Sequence, residues 1–151
     1  MNPLLSLFES EPTITIAEGE EILSEGKPVD TLYVLIAGDV EILKGTHRVN
    51  IITEPGSIFG EMSYLLNKPA TATVRAMKYS CFYKVDAGFA WSHPEIYRHV
   101  AVQLSIRLAA ITDYLSGLET KLSSEGKKSR VAEEISDQLR RVEDIAFKNN
   151  T

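Results

Sequence analysis

The sequence predicts a mainly β protein with flanking helices: a closed or two-sheet β structure, then a long C-terminal helix and one further helix. Three observations carry this. Between residues 12 and 86, short β-rich runs recur and are separated by glycine turns. After residue 87 the apolar period lengthens from two to about three and a half. Beyond Gly126 a second amphipathic stretch runs out of phase with the first.

Residues 3 to 9 carry Leu4, Leu5, Leu7 and Phe8, enough for one or two helical turns lying on the domain. Thr13-Ile14-Thr15-Ile16 alternates as a strand does. Leu32 to Ile36 is β-rich, and Gly38-Asp39 then turns the chain into a strand from Val40 to Leu43. Gly45-Thr46 turns it again into Val49 to Ile52, and Pro55-Gly56 breaks it. Two more strands are expected, Thr71 to Met77 and Cys81 to Val85. Phe89 and Trp91 then read as a plug between the β structure and the helix.

A chain of 151 residues can bury a core of its own, and 44% hydrophobic with 25% charged residues is an ordinary globular composition. A net charge of −5 disfavours nucleic acid, because a duplex binder needs a basic face to displace counterions. The lone Cys81 forms no internal disulfide, as suits a reducing compartment. No apolar run has membrane-spanning length, and the N-terminus lacks a basic start and a long apolar stretch. The expectation is a soluble, cytoplasmic protein with no membrane partner.

The densest chemistry lies in Phe59-Gly60-Glu61-Met62-Ser63-Tyr64-Leu65-Leu66, followed by Lys68-Pro69-Ala70-Thr71-Ala72-Thr73-Val74-Arg75-Ala76. It reads as a glycine turn, a short helix, a tight loop and a strand. Glycine permits close approach of backbone to ligand, and the first N–H groups of a helix face negative charge. A carboxylate at that helix start suggests a sugar hydroxyl as ligand, and the lack of an arginine where the loop enters the strand weighs against a phosphate.

This run resembles the phosphate-binding cassette of the cyclic nucleotide-binding domain family. Phe59, Gly60, Glu61, Leu65, Pro69, Thr71, Ala72, Val74 and Ala76 match its pattern. The resemblance extends upstream through 18–26 and 30–42 and covers roughly residues 10 to 125. It implies a double-stranded β-helix jelly roll, no catalytic activity, and cyclic AMP or cyclic GMP as the family's ligand. It also implies a ligand pocket of Phe59, Gly60, Glu61, Met62, Ala70, Thr71 and Ala72, in which the matching glutamate accepts a hydrogen bond from the ribose 2′-hydroxyl. Glu61 is equally suited to complement the dipole of its own helix.

Ala70 stands where the family has an arginine that grips the cyclic phosphate with a two-pronged, charge-assisted bond. Removing one partner of a buried charge pair costs about 2–5 kcal/mol, and each 1.4 kcal/mol is about tenfold in affinity. The expectation is a degenerate pocket, with cyclic nucleotide binding weakened or lost. The alternative is a functional cAMP or cGMP sensor that relies on Glu61, Thr71 and backbone donors. Lys68 and Arg75 are the nearby cations; strand alternation turns Arg75 to the face opposite Ala70, and a lysine offers only a point charge.

Leu104, Leu108, Ile111, Leu115, Leu118 and Leu122 are spaced 4, 3, 4, 3, 4, a heptad stripe that Tyr97 and Ala101 extend backwards. Pro94 is placed at the helix start and Gly126 ends the pattern. The stripe predicts a homodimer seam on a helix of about 94–125. Thr112 and Asp113 flank it about where the family places contacts to the nucleotide base. Residues 1–125 are thus expected to form the domain with its dimerisation helix, and 126–151 a helical extension. In that extension Val131, Ile135, Leu139, Val142 and Ala146 share a face, with a hinge or reversal near Ser124-Glu125-Gly126. Its acidic and basic residues interleave as solvated ion pairs, so it suits an unidentified protein partner better than DNA.

His47, His93 and His99 form no metal-ligand spacing, and Ser63 is not in a nucleophile elbow. The expectation is therefore no metal, no cofactor and no enzyme, in a dimeric regulatory or scaffold module of bacterial style.

Overall fold

The structure, a computed structural model, describes residues 2–124, 133–134 and 136–141. The chain divides into two compact units, Met1–Gln103 and Leu104–Thr151.

The first unit holds eight strands: β1 (Thr13–Ile16), β2 (Glu21–Leu23), β3 (Thr31–Ala37), β4 (Val40–Lys44), β5 (His47–Ile52), β6 (Ile58–Phe59), β7 (Thr73–Ala76) and β8 (Ser80–Asp86). Helix α1 (Glu61–Leu66) lies between β6 and β7. After β8 come α2 (Ala87–Trp91) and α3 (Pro94–Ser124). All strand pairs are antiparallel, in two sheets of order β1-β8-β3-β6 and β2-β7-β4-β5. Apart from the β4–β5 hairpin, successive strands alternate between the two sheets, which is the jelly roll expected from the sequence.

The reasons are local. In β3 the apolar Leu32, Val34 and Leu35 are buried, and in β8 Phe82 and Val85 are. Phe82 of β8 meets Tyr33 of the adjacent β3 edge-on at 6.5 Å and Phe59 of β6, one strand further, edge-on at 6.2 Å. Ile16, Leu35, Val40, Ile52, Phe59, Val74, Ala76 and Phe82 form the core. The turn at Gly38-Asp39 is as expected. Gly38 has φ +126, and an added Cβ would meet the Ser80 side chain and backbone, so only glycine lets β3 turn against β8 there.

Leu5–Phe8 forms a 3-10 turn, and its Phe8 is fully buried with its ring 6.2 Å from Tyr83. Thr71 and Ala72 precede β7 rather than opening it. In the second unit α3 continues to Ser124, and residues 136–141 are helical. Of the apolar face expected over 127–148, only Leu139 is described, and it is exposed; the reversal near Glu125-Gly126 lies outside the described residues. No described helix is long and apolar enough to cross a membrane.

Candidate functional site

The cassette is assembled by three structural devices. β6 pairs with β3 through Tyr33↔Phe59 and Val34↔Ile58, which fixes where the chain leaves the sheet. Gly60 then takes φ +92 and caps α1. A Cβ at Gly60 would lie 3.1 Å from the Thr31 carbonyl and 3.1 Å from Val29, so glycine is required by conformation and by space. Asn67, in the left-handed region with φ 51, ends the helix by donating its N–H to the Tyr64 carbonyl at 3.2 Å.

Glu61 is the first residue of α1 and is 3% exposed. Phe59 is part of the core and Met62 points to solvent at 40% exposure. Ala70 is buried. It donates its N–H to the Lys27 carbonyl at 2.8 Å, and its carbonyl accepts from Gly26 N–H at 2.8 Å. The backbone donor of Ala70 is thus already used within the fold. Thr71 and Ala72 are half-buried, and the Thr71 carbonyl accepts from Lys44 Nζ at 2.7 Å.

Arg75 is committed elsewhere: its Nε donates to Glu41 at 2.8 Å and its NH2 group lies 2.7 Å from the same carboxylate. Lys68 is exposed, in the loop before Ala70. The sequence reading missed two lysines, Lys27 and Lys44, that reach this stretch from the β2–β3 loop and the β4–β5 hairpin. Each arrives through long-range pairing, so no local motif announces it. Lys44 also pairs with Glu25, whose carboxylate accepts from Gly45 N–H at 2.8 Å. The Lys44 hydrogen bond, and then that of Gly45, hold the Glu25 carboxyl below its ordinary value.

A cleft of about 160 Å³ opens beside the cassette, with Leu23, Lys27, Val29, Asp30, Thr31 and Tyr33 among its walls. None of the seven expected ligand residues lines it. It touches them at one remove, since Val29 and Thr31 pack on Gly60 and Lys27 bonds Ala70. Burial, and then the nearby Asp30 carboxylate, push the Tyr33 phenol above its ordinary value.

Trp91 is buried, as a plug should be; its ring stacks on Tyr64 (5.0 Å, 22°) and meets Tyr97 at a tilt (4.7 Å, 43°). Phe89 is half-buried, with its ring 4.4 Å from that of His93. On α3, Leu108 and Ile111 are 63% and 57% exposed, while Leu104, Leu115, Leu118 and Leu122 are half-buried. Thr112 and Asp113 are exposed. Among the described residues no group of three His, Cys, Asp or Glu side chains is placed to hold a metal ion.

The family model described as "Cyclic nucleotide-binding domain" matches residues 13–90. The chain is 37% identical over 68 residues to the cAMP-dependent protein kinase regulatory subunit of Yarrowia lipolytica, covering 45% of this chain and 18% of that protein. It is 34% identical over 68 residues to the cGMP-dependent protein kinase of Plasmodium berghei, covering 45% of this chain and 8% of that one. It therefore spans under a fifth of the length of either relative. Among solved structures, the catabolite activator protein of Thermus thermophilus superimposes with a TM-score of 0.62 at 19% identity, over 79% of this chain and 60% of that one. With β6, Gly60, Glu61 and the jelly roll arranged as described, the chain belongs to the cyclic nucleotide-binding domain family.

Proposed function

We propose that this chain is a non-catalytic regulatory or scaffold module whose cyclic nucleotide binding is weakened or lost, and which acts in the cytoplasm as a homodimeric interaction protein. Position 70 carries the reading. A methyl group stands where a charged fork would grip the phosphate, the Ala70 N–H is spent on the Lys27 carbonyl, and the guanidinium nearest in sequence, that of Arg75, is spent on Glu41. Lys27 and Lys68 are exposed point charges that do not replace planar, bidentate recognition. The homodimer rests on Leu108 and Ile111, which leave α3 with apolar side chains bare at heptad spacing.

A second reading, a working cAMP or cGMP sensor, is favoured by one observation: the Gly60 turn and the buried Glu61 keep the family's entry into the cassette. Titration calorimetry of the whole chain with cAMP and cGMP separates the two. The expected result is no saturable heat below about 1 mM; a submillimolar Kd would establish the sensor instead.

A further inference from the structure

The loop between β2 and β3 is pinned through its backbone. Lys27 N–H turns back to the Ser24 carbonyl at 3.1 Å, and Glu25 N–H donates to Thr73 Oγ1 at 3.0 Å. Gly26 N–H and the Lys27 carbonyl are each bonded to Ala70 at 2.8 Å. Pro28 follows, with φ fixed by its own ring. The cleft of about 160 Å³ beside this loop therefore has walls set by the fold before anything enters it. Pockets for drug-sized molecules begin at about 300 Å³, so the cleft has room for a molecule of amino-acid size and not for a nucleotide.

Its polar groups sort by what they already do. The Ser24 hydroxyl donates to Glu21 at 2.6 Å, and the Thr31 hydroxyl to Asp30 at 3.0 Å. The walls carry one cation, Lys27, and one anion, Asp30. Both residues are exposed, and neither forms an ion pair with a described residue. Asp30 is close enough to Tyr33 for its charge to bear on the phenol, which burial keeps protonated. The carboxylate and the electron-rich ring thus make one cation-favouring wall. Leu23 and Val29 add apolar surface. A simple anion would meet Asp30, a simple cation would meet Lys27, and an apolar molecule would strip water from both. A molecule carrying both charges complements both.

We propose that the cleft bounded by Lys27 and Asp30 binds a small zwitterion, a free α-amino acid with an aliphatic side chain. Its carboxylate pairs with Lys27, its ammonium with Asp30 beside the Tyr33 ring, and its side chain lies on Leu23 and Val29. The site shares none of the seven cassette residues and does not depend on whether the cassette takes a nucleotide.

The test is a titration of the full chain with L-leucine, followed through the amide NMR signals of Leu23, Val29 and Thr31. Saturation is expected in the millimolar range, at about 1–10 mM, as suits two exposed charge pairs and a small apolar contact. N-acetyl-leucine lacks the ammonium and leucinamide lacks the carboxylate; each should bind about two- to fivefold more weakly. Lys27→Met keeps the main-chain bonds to Ala70. That variant and Asp30→Asn should each weaken leucine binding by about the same factor, with the signals of β1 and β8 unmoved. No saturable shift at these amides up to about 50 mM L-leucine would overturn the proposal. Binding of N-acetyl-leucine or leucinamide at the affinity of leucine would overturn it too, and would make the cleft a plain anion, cation or apolar site. The comparison of the three ligands needs no variant, so it decides even where a substitution disturbs folding.

Discussion

Ala70 and Lys27 are joined through the main chain: Ala70 donates to the Lys27 carbonyl at 2.8 Å, while the preceding Gly26 donates to the Ala70 carbonyl at the same distance. The backbone at position 70 is thus held independently of its side chain. In Ala70→Arg the main chain should keep its place, and a guanidinium would enter an otherwise intact cassette. Calorimetry with cAMP should then show affinity at least about tenfold above the parent. No gain in the folded variant would mean that other parts of the pocket have decayed as well.

Gly60 is the most constrained backbone position of the site. With φ +92 and two neighbours 3.1 Å from where an added Cβ would stand, Gly60→Ala adds strain and overlap together. Urea unfolding should show a loss of about 1–3 kcal/mol. Gly26→Ala is the control: φ is +81 but a Cβ meets nothing within 4 Å, so the loss should be smaller. Equal losses would show that space at Gly60 is irrelevant.

Leu108 is 63% exposed, so Leu108→Glu should leave the protomer folded by circular dichroism. If α3 is the seam, a carboxylate there meets its symmetry mate in an apolar interface. Sedimentation should then show a fall from dimer to monomer mass, with the dissociation constant raised at least about tenfold. An unchanged mass in both proteins would remove the seam from consideration.

Glu25 supplies a pH dependence of known sign. Its folded-state carboxyl lies below its ordinary value because Lys44 and Gly45 N–H bond the charged form. Its contribution is therefore present above the unfolded-state value and lost as pH falls through the folded one. The urea midpoint should drop more steeply on acidification in the parent than in Glu25→Gln, and the gap between them should close. The effect is small because the pair is partly open to solvent and screened by it. Parallel pH profiles would show that the Lys44 pairing is idle.

The sequence by itself determined much of this protein. Alternation in Thr13–Ile16, the glycine turns at Gly38 and Gly45, and Pro94 at the start of α3 are local signals, and the chain obeys them. The cassette was legible for the same reason: Gly60, Glu61 and the entry to β7 lie within one short run. What the tertiary structure decided is whatever has no period or is joined across the chain. β6 has two residues and β2 three, too few to show an alternation. The assignment of Lys27 to Ala70, Arg75 to Glu41 and Gln103 to Ile58 rests on pairings between residues 34 to 45 positions apart. Such partners are selected by the register of the folded sheets and by the need to satisfy every buried N–H and C=O, which no stretch of sequence displays on its own.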